Sequence, residues 1–430
     1  MEKYRDQLLQ TIMKALSFDC VEHPASKNAP FGKGNRECLD YVLSVCDSFN
    51  MKTKNLDGFC GIADVGSGET FGILGHLDVV PFGKGWTKNP LGEIVDNTIY
   101  GRGIMDDKGP MISCMFAIKA LLDEGLIPKR TIRLIFGCNE ESGWKCIEHY
   151  NKSEKMPETG FSPDSDFPVI NCEKGIVNYT LIKKCDSLCT ITAGERPNIV
   201  PNECFATLPM SETNLELAKS SGLEYSVSDN LISLTALGKS AHAATPMFGE
   251  NAIVKMLDVL SKVDDNLKRI RDAFYTYSGE GCNICLSDEP SGSLTVNLGI
   301  INLSNGNLSF TLDIRYPVTL SEADILPNIK AKFSDFKITK PHFHLPLYVD
   351  KSDNLVQTLL LTYNKVTGSN DSPISIGGGT YARAMKKGVA FGPQFANEPD
   401  TIHQPDECVS IDTLMKFTKI YYEAIKVLCF

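Results

Sequence analysis

Six residues in the first third of the chain are of the types that hold metal ions or move protons. His76 and Asp78 close the run Gly75-His76-Leu77-Asp78. Asp106 and Asp107 stand in Tyr100-Gly101-Arg102-Gly103-Ile104-Met105-Asp106-Asp107-Lys108-Gly109, and Glu140 and Glu141 follow Gly137-Cys138-Asn139. On a strand, alternation puts His76 and Asp78 on one face. Asp78 could then accept the second imidazole N–H and raise the ring's basicity toward a metal. Paired carboxylates repel each other unless cations offset them. Histidine with several carboxylates, and no cysteine among them, suits zinc, manganese or cobalt. A lone histidine is more often a satisfied polar residue, and adjacent acids are usually solvated, so the weight falls on where these pairs lie.

Each cluster ends an apolar run that reads as a buried strand: Phe71-Gly72-Ile73-Leu74 before His76, and Thr131-Ile132-Arg133-Leu134-Ile135-Phe136 before Glu140. Between them, residues 111–124 form a helix that is apolar almost all round, with Pro110 suited to its first position. Strands alternating with helices imply a mostly parallel α/β sheet, and such sheets bind ligands at the carboxyl ends of their strands. Upstream, Leu8, Leu9, Ile12, Met13 and Leu16 give helical spacing over 4–17. A second helix is expected at 38–50 and one strand over 55–65. From about Asn178 the pattern turns antiparallel, with strands at 178–183, 204–208 and 231–237. Two more, at 293–301 and 308–316, flank the hairpin turn Ser304-Asn305-Gly306-Asn307. Helices at 251–263 and 322–333 accompany them, and helical sequence resumes at 354–367 and 411–427. The expected architecture is an α/β domain with a mostly parallel sheet, built from 1–178 and 346–430, and an inserted α+β domain at 179–345.

Composition narrows the function classes. The 430 residues are 42% hydrophobic and 22% charged, an ordinary globular balance with room for two cores. No window approaches the roughly 18 apolar residues of a membrane span. The amino-terminal sequence lacks the apolar stretch of a secretory signal, so a cytoplasmic location is expected. A net charge of −10 with no basic cluster argues against a nucleic-acid partner. The 15 cysteines are scattered and read as reduced, buried small hydrophobes. Cys282-Asn283-Ile284-Cys285 is a solitary C-x-x-C without a second pair to complete a zinc site.

Taken together, Gly75-His76-Leu77-Asp78-Val79-Val80-Pro81, Tyr100-Gly101-Arg102-Gly103 with Asp106-Asp107-Lys108-Gly109, Asn139-Glu140-Glu141 and a late histidine resemble one family. It is that of the di-zinc metallopeptidases that include aminoacylase, carnosinase and succinyl-diaminopimelate desuccinylase. Phe161-Ser162-Pro163-Asp164, Phe167-Pro168-Val169-Ile170, Glu173-Lys174-Gly175 and Gly377-Gly378-Gly379-Thr380-Tyr381 bring the chain nearest to the branch of bacterial dipeptidases typified by PepV. The resemblance covers nearly the whole chain.

The resemblance implies two divalent metal ions, zinc first and manganese or cobalt as alternatives, with five ligands. Asp106 would bridge; His76 and Asp164 would complete one site, Glu141 and His403 the other. Asp166 stands close enough to compete with Asp164. Glu140 would be the general base acting on a metal-bridging water, and Asp78 would orient His76. In the inserted domain, read as a lid, His242 would stabilise the oxyanion, while Asn198 and Arg315 would grip substrate. Gly379 would bring backbone N–H groups to a carboxylate. His23 and His149 match no motif; His342-Phe343-His344 looks like a metal-ligand pair by alternation, but it lies where the chain returns from the insert. The implied reaction is hydrolysis of dipeptides with a free N-terminus by a monomer. The alternatives are the same chemistry on N-acyl amino acids or succinylated amines, and a non-catalytic metal-dependent peptide-binding protein.

Overall fold

A computed structural model describes residues 1–430. The chain divides into two units: Met1–Asn171 with Leu347–Ile374 and Gly379–Phe430, and Cys172–Pro346 with Ser375–Gly378. The strand Gly175–Lys184 runs unbroken through position 178, so the units divide earlier than the expected 178/179.

The first unit is built on a nine-stranded sheet. In spatial order its first six strands are Lys52–Leu56, Cys60–Val65, Thr131–Gly137, Thr70–His76, Thr159–Ser162 and Lys387–Ala390. The last four pair in parallel, and the first two are antiparallel additions. Six of the seven residues of Thr70–His76 are buried, as expected of a parallel strand covered on both faces. The helix Lys108–Asp123 is buried on all but a few side chains, and it packs on that strand and on Ile411–Cys429 and Arg5–Leu16. Its Ile112, Met115, Phe116, Ile118 and Leu121 are wholly inaccessible; side chains of this kind contribute about 1.5–3 kcal/mol each on burial. Pro110 is its third residue rather than its first, within the turn where a missing N–H costs nothing.

The expected strand over 55–65 is instead a hairpin, Lys52–Leu56 against Cys60–Val65, turning at Asp57 and Gly58 with φ of 54° and 77°. An Asp-Gly pair tolerates that left-handed backbone. A helix missing from the sequence reading, Lys145–Ser153, follows the Glu140-Glu141 segment.

The second unit is an eight-stranded, wholly antiparallel sheet. Its order is Glu224–Ser228, Leu231–Leu237, Glu203–Pro209, Thr190–Ala193, Thr295–Ser304, Asn307–Tyr316, Gly175–Lys184 and Lys337–His344. Cys204, Ala206 and Leu208 point inward while Glu203 and Phe205 face out, the alternation of a sheet with one wet face. Ala252–Leu260 covers the inner face, packed beside Asp265–Phe274. Asn251 and Asp264 cap these helices with their side chains. The Asn305-Gly306 hairpin forms as expected, with both residues at positive φ. The helix expected at 322–333 is a 3-10 turn followed by Leu326–Lys332, because Pro327 forces a fresh start.

No helix is long and apolar enough to cross a membrane. Twelve of the fifteen cysteines are buried and none forms a disulfide. In the C-x-x-C, Cys282 is buried and Cys285 exposed.

Candidate metal centre

The parallel strands deliver the polar residues to one end of the first sheet. His76 ends Thr70–His76, Glu140 and Glu141 follow Thr131–Gly137, and Asp164 follows Thr159–Ser162. Asp106 precedes the helix Lys108–Asp123, and His403 comes from the loop ahead of Cys408–Ser410 with φ of 61°. Asp106 lies between the two imidazoles: its Oδ1 is 2.9 Å from His76 Nε2 and its Oδ2 2.8 Å from His403 Nε2. Asp164 Oδ2 stands 3.6 Å from His76 Nε2, and Glu141 Oε1 is 3.1 Å from His403 Nε2. His76, Asp106 and Glu141 offer ligand atoms all within 4.8 Å of one another. Asp166 instead lies in a short strand paired with Pro393–Gln394.

The surroundings hold these groups in place. His76 Nδ1 is 2.9 Å from the Asp78 carbonyl oxygen, with the Asp78 carboxylate farther away at 3.6 Å. The expected carboxylate bond to the ring is therefore replaced by a backbone one. Asp78 uses its carboxylate elsewhere, accepting from the backbone N–H groups of Glu140 and Glu141 at 3.1 Å each. It thus orients the Glu140-Glu141 turn directly and His76 through its carbonyl. Asp107, wholly buried, accepts from the His76 backbone N–H at 3.1 Å. Gly75 has no room for a side chain, because a Cβ there would overlap Asp107 Oδ2 and the Met111 side chain.

Clustered carboxylates and burial set the electrostatics of the site. Burial alone would lower the His76 pKa, yet Asp106 and Asp164 overcome it and raise it well above the usual imidazole value. Burial likewise opposes His403, but Asp106 and Glu141 lift it to about 11. Burial, with Asp106 beside it, pushes Asp164 up to about 7, and burial pushes Glu140 well above the usual carboxylate range. Two imidazoles and three carboxylates, His76, His403, Asp106, Asp164 and Glu141, without a thiolate, form a donor set that fits divalent zinc, manganese or cobalt.

The model of "Peptidase family M20/M25/M40" matches residues 72–427. The chain belongs to that family. It is a hydrolase of the peptidase class. It is 37% identical to "Putative dipeptidase YtjP" of Bacillus subtilis, covering 98% of this chain and 97% of that one. It is 34% identical to "Putative dipeptidase SAB1611c" of Staphylococcus aureus, covering 100% and 98%. Among solved structures, human carnosine dipeptidase 1 superposes with a TM-score of 0.59 at 15% identity, over 98% of this chain and 96% of that chain. That last likeness speaks for the shared fold.

The remaining sequence-derived candidates fall elsewhere. In the second unit, Ile199 and His242 form an isolated β-bridge, and the Asn198 carbonyl accepts from Ala243 N at 2.9 Å. The loops bearing Asn198 and His242 are therefore side by side, and the ring Nδ1 of His242 accepts from Ala244 N at 3.2 Å. Asn198 and Arg315 line one cavity of about 480 Å³. Arg315 is already engaged: Nε and Nη2 meet Asp313 at 2.5 and 3.1 Å, and Nη1 donates to the Gly377 carbonyl at 2.8 Å. Two of its five N–H groups remain beyond these bonds. Gly379 belongs to the first unit, where a Cβ would press on the Arg383 guanidinium. His342 and His344 stack edge to face, ring centres 4.6 Å apart.

Two features went unread in the sequence. Trp144, at φ of 63°, donates its indole N–H to Glu140 Oε1 at 3.2 Å. Arg102 and Glu407 form a wholly buried ion pair at 2.7 Å. The Gly-Arg-Gly motif pointed to the first partner, but nothing in the spacing pointed to the second.

Proposed function

We propose that the protein is a dipeptidase dependent on two divalent metal ions, zinc first, acting on dipeptides with a free N-terminus. The observation that carries this reading is the division of the Asp106 carboxylate, one oxygen toward His76 and the other toward His403. A carboxylate so placed would contribute to both ions, with His76 and Asp164 holding one and Glu141 and His403 the other. When bound, such ions supply Lewis acidity, which makes water nucleophilic at neutral pH and polarises the scissile carbonyl.

The chain's own groups account for the rest. Glu140 is the carboxylate left over from the ligand set, and it is the group we assign to take a proton from water and return it to the leaving amine. Trp144 fixes one of its oxygens, and Asp78 fixes the turn that carries it. From the second unit, His242 is assigned as donor to the oxyanion, and Asn198 and Arg315 as substrate contacts, with Gly379 offering backbone to a carboxylate. The relatives named as dipeptidases across their full length support the substrate class.

The deciding experiment compares zinc-loaded protein on Ala-Xaa dipeptides and on N-acetyl or N-succinyl amino acids. Release of amino acids from the dipeptides, with little from the acylated set, is the expected result. Activity confined to the acylated set would overturn the dipeptidase reading. Metal-dependent binding of dipeptides without turnover would make the protein a binder.

A further inference from the structure

Asp106 and His403 are held to each other very differently from the way His76 and Asp164 are held. The last two sit at the ends of adjacent parallel strands, so the sheet fixes their spacing. His403 comes from a loop, half exposed, with a left-handed backbone of its own. Something else must set its distance to Asp106.

Four residues beyond His403 lies Glu407, and its contacts all run to the segment that carries Asp106. Its Oε2 accepts from Arg102 Nη1 at 2.7 Å, and its Oε1 from Gly103 N at 3.1 Å and Met105 N at 3.0 Å. Its backbone carbonyl accepts from Gly101 N at 2.9 Å, and the next residues, Cys408–Ser410, pair with Thr98–Tyr100. Arg102 is closed in from the other side. Its guanidinium lies 5.2 Å from the Trp86 ring and donates to the Phe82 carbonyl at 3.4 Å. Gly103, at φ of 91°, leaves no room for a Cβ beside Val79. Two wholly buried charges are a poor choice for stability alone, since apolar residues of the same shape often serve a fold as well or better. Their retention asks for another reason.

Resting on the two-ion reading, we infer that the Arg102–Glu407 pair is a positioning element that sets the spacing of His403 from Asp106. It therefore governs the affinity of the ion assigned to Glu141 and His403, while leaving the ion assigned to His76 and Asp164 to the sheet. Partners that orient metal ligands in this way typically change metal affinity about 10–100-fold when altered.

The test uses the full-length, metal-stripped protein and cobalt(II), followed by equilibrium dialysis and by the visible absorption of the bound ion. It is run at pH 8, because burial pushes Glu407 up to about 7 and the pair is fully charged only above that. Glu407→Gln keeps an oxygen for Gly103 N and Met105 N but removes the charge. Arg102→Met combined with Glu407→Gln leaves no buried charge unpaired and preserves folding if the single variant fails. Arg102→Lys tests conservative rescue. The expected result is two ions bound in every folded variant. One keeps wild-type affinity and spectrum; the other is weakened about 10–100-fold by the first two variants and substantially restored by Arg102→Lys. Unchanged affinity for both ions, or equal weakening of both, would overturn the inference while the two-ion reading stands. Wild-type protein that takes up fewer than two ions would overturn that reading, and this inference with it.

Discussion

In the first unit His76, Glu140, Glu141 and Asp164 stand at or just beyond the ends of buried parallel strands. In the second, Asn198 and His242 lie on loops, and Arg315 is buried in an antiparallel strand. The first arrangement leaves each residue little freedom, because the hydrophobic runs that place Phe71–Leu74 and Ile132–Phe136 also place His76 and Glu140. The second has no such lever. Arg315 shows the consequence: its strand is set by the core, but its guanidinium is already forked on Asp313. The parallel sheet converts its hydrophobic pattern into site geometry, whereas the antiparallel sheet leaves that geometry to local polar contacts.

This contrast separates a unit that would hold metal from one that would assist chemistry, and substitutions can break it. The largest effect is expected for Glu140→Gln, which removes the proton acceptor. Dipeptide turnover should fall about 10²–10⁴-fold with zinc content unchanged; turnover near wild type would remove Glu140 from its role. His242→Ala should lower kcat about 10²–10³-fold, as loss of an oxyanion donor does, again without loss of zinc. Loss of zinc in this variant would erase the division between the units.

The next effect concerns pH. In the metal-free protein the pKa values of His76 and His403 are raised, so at neutral pH both rings hold protons that an incoming cation must displace. Zinc affinity should therefore rise with pH, by up to about tenfold per unit for each proton displaced, and fall as pH drops. Calorimetry in two buffers of different ionisation enthalpy would detect the released protons; binding at pH 7 without proton release would contradict the charge balance described. Smallest is Trp144→Phe. It keeps the ring but loses one hydrogen bond to Glu140, costing about 1 kcal/mol, or roughly fivefold in kcat, with KM little changed. A pure KM effect would recast Trp144 as a substrate contact.

Much of the first unit could be read from residue order, because strand ends, acidic pairs and the late histidine obey patterns that sequence carries. What escaped depended on backbone conformation or on distance along the chain. The partner of His76 Nδ1 is a carbonyl rather than a carboxylate because the Asp78 side chain is drawn to two backbone N–H groups some sixty residues away. Trp144 reaches Glu140 only from a left-handed backbone that no pattern marks. Glu407 sits about three hundred residues from Arg102, and a single acid there reads as surface charge. The hairpin at Asp57-Gly58 was legible in principle, since an Asp-Gly pair favours such a turn, but the apolar residues on either side suggested one continuous strand.

The central claim is that the cluster around Asp106 is a two-ion dipeptidase centre. Its most direct test is to titrate metal-stripped protein with zinc while following hydrolysis of an Ala-Xaa dipeptide. Activity should be absent at the start and reach its plateau at two ions per chain. Full activity without metal, or no hydrolysis with both ions bound, would contradict the account.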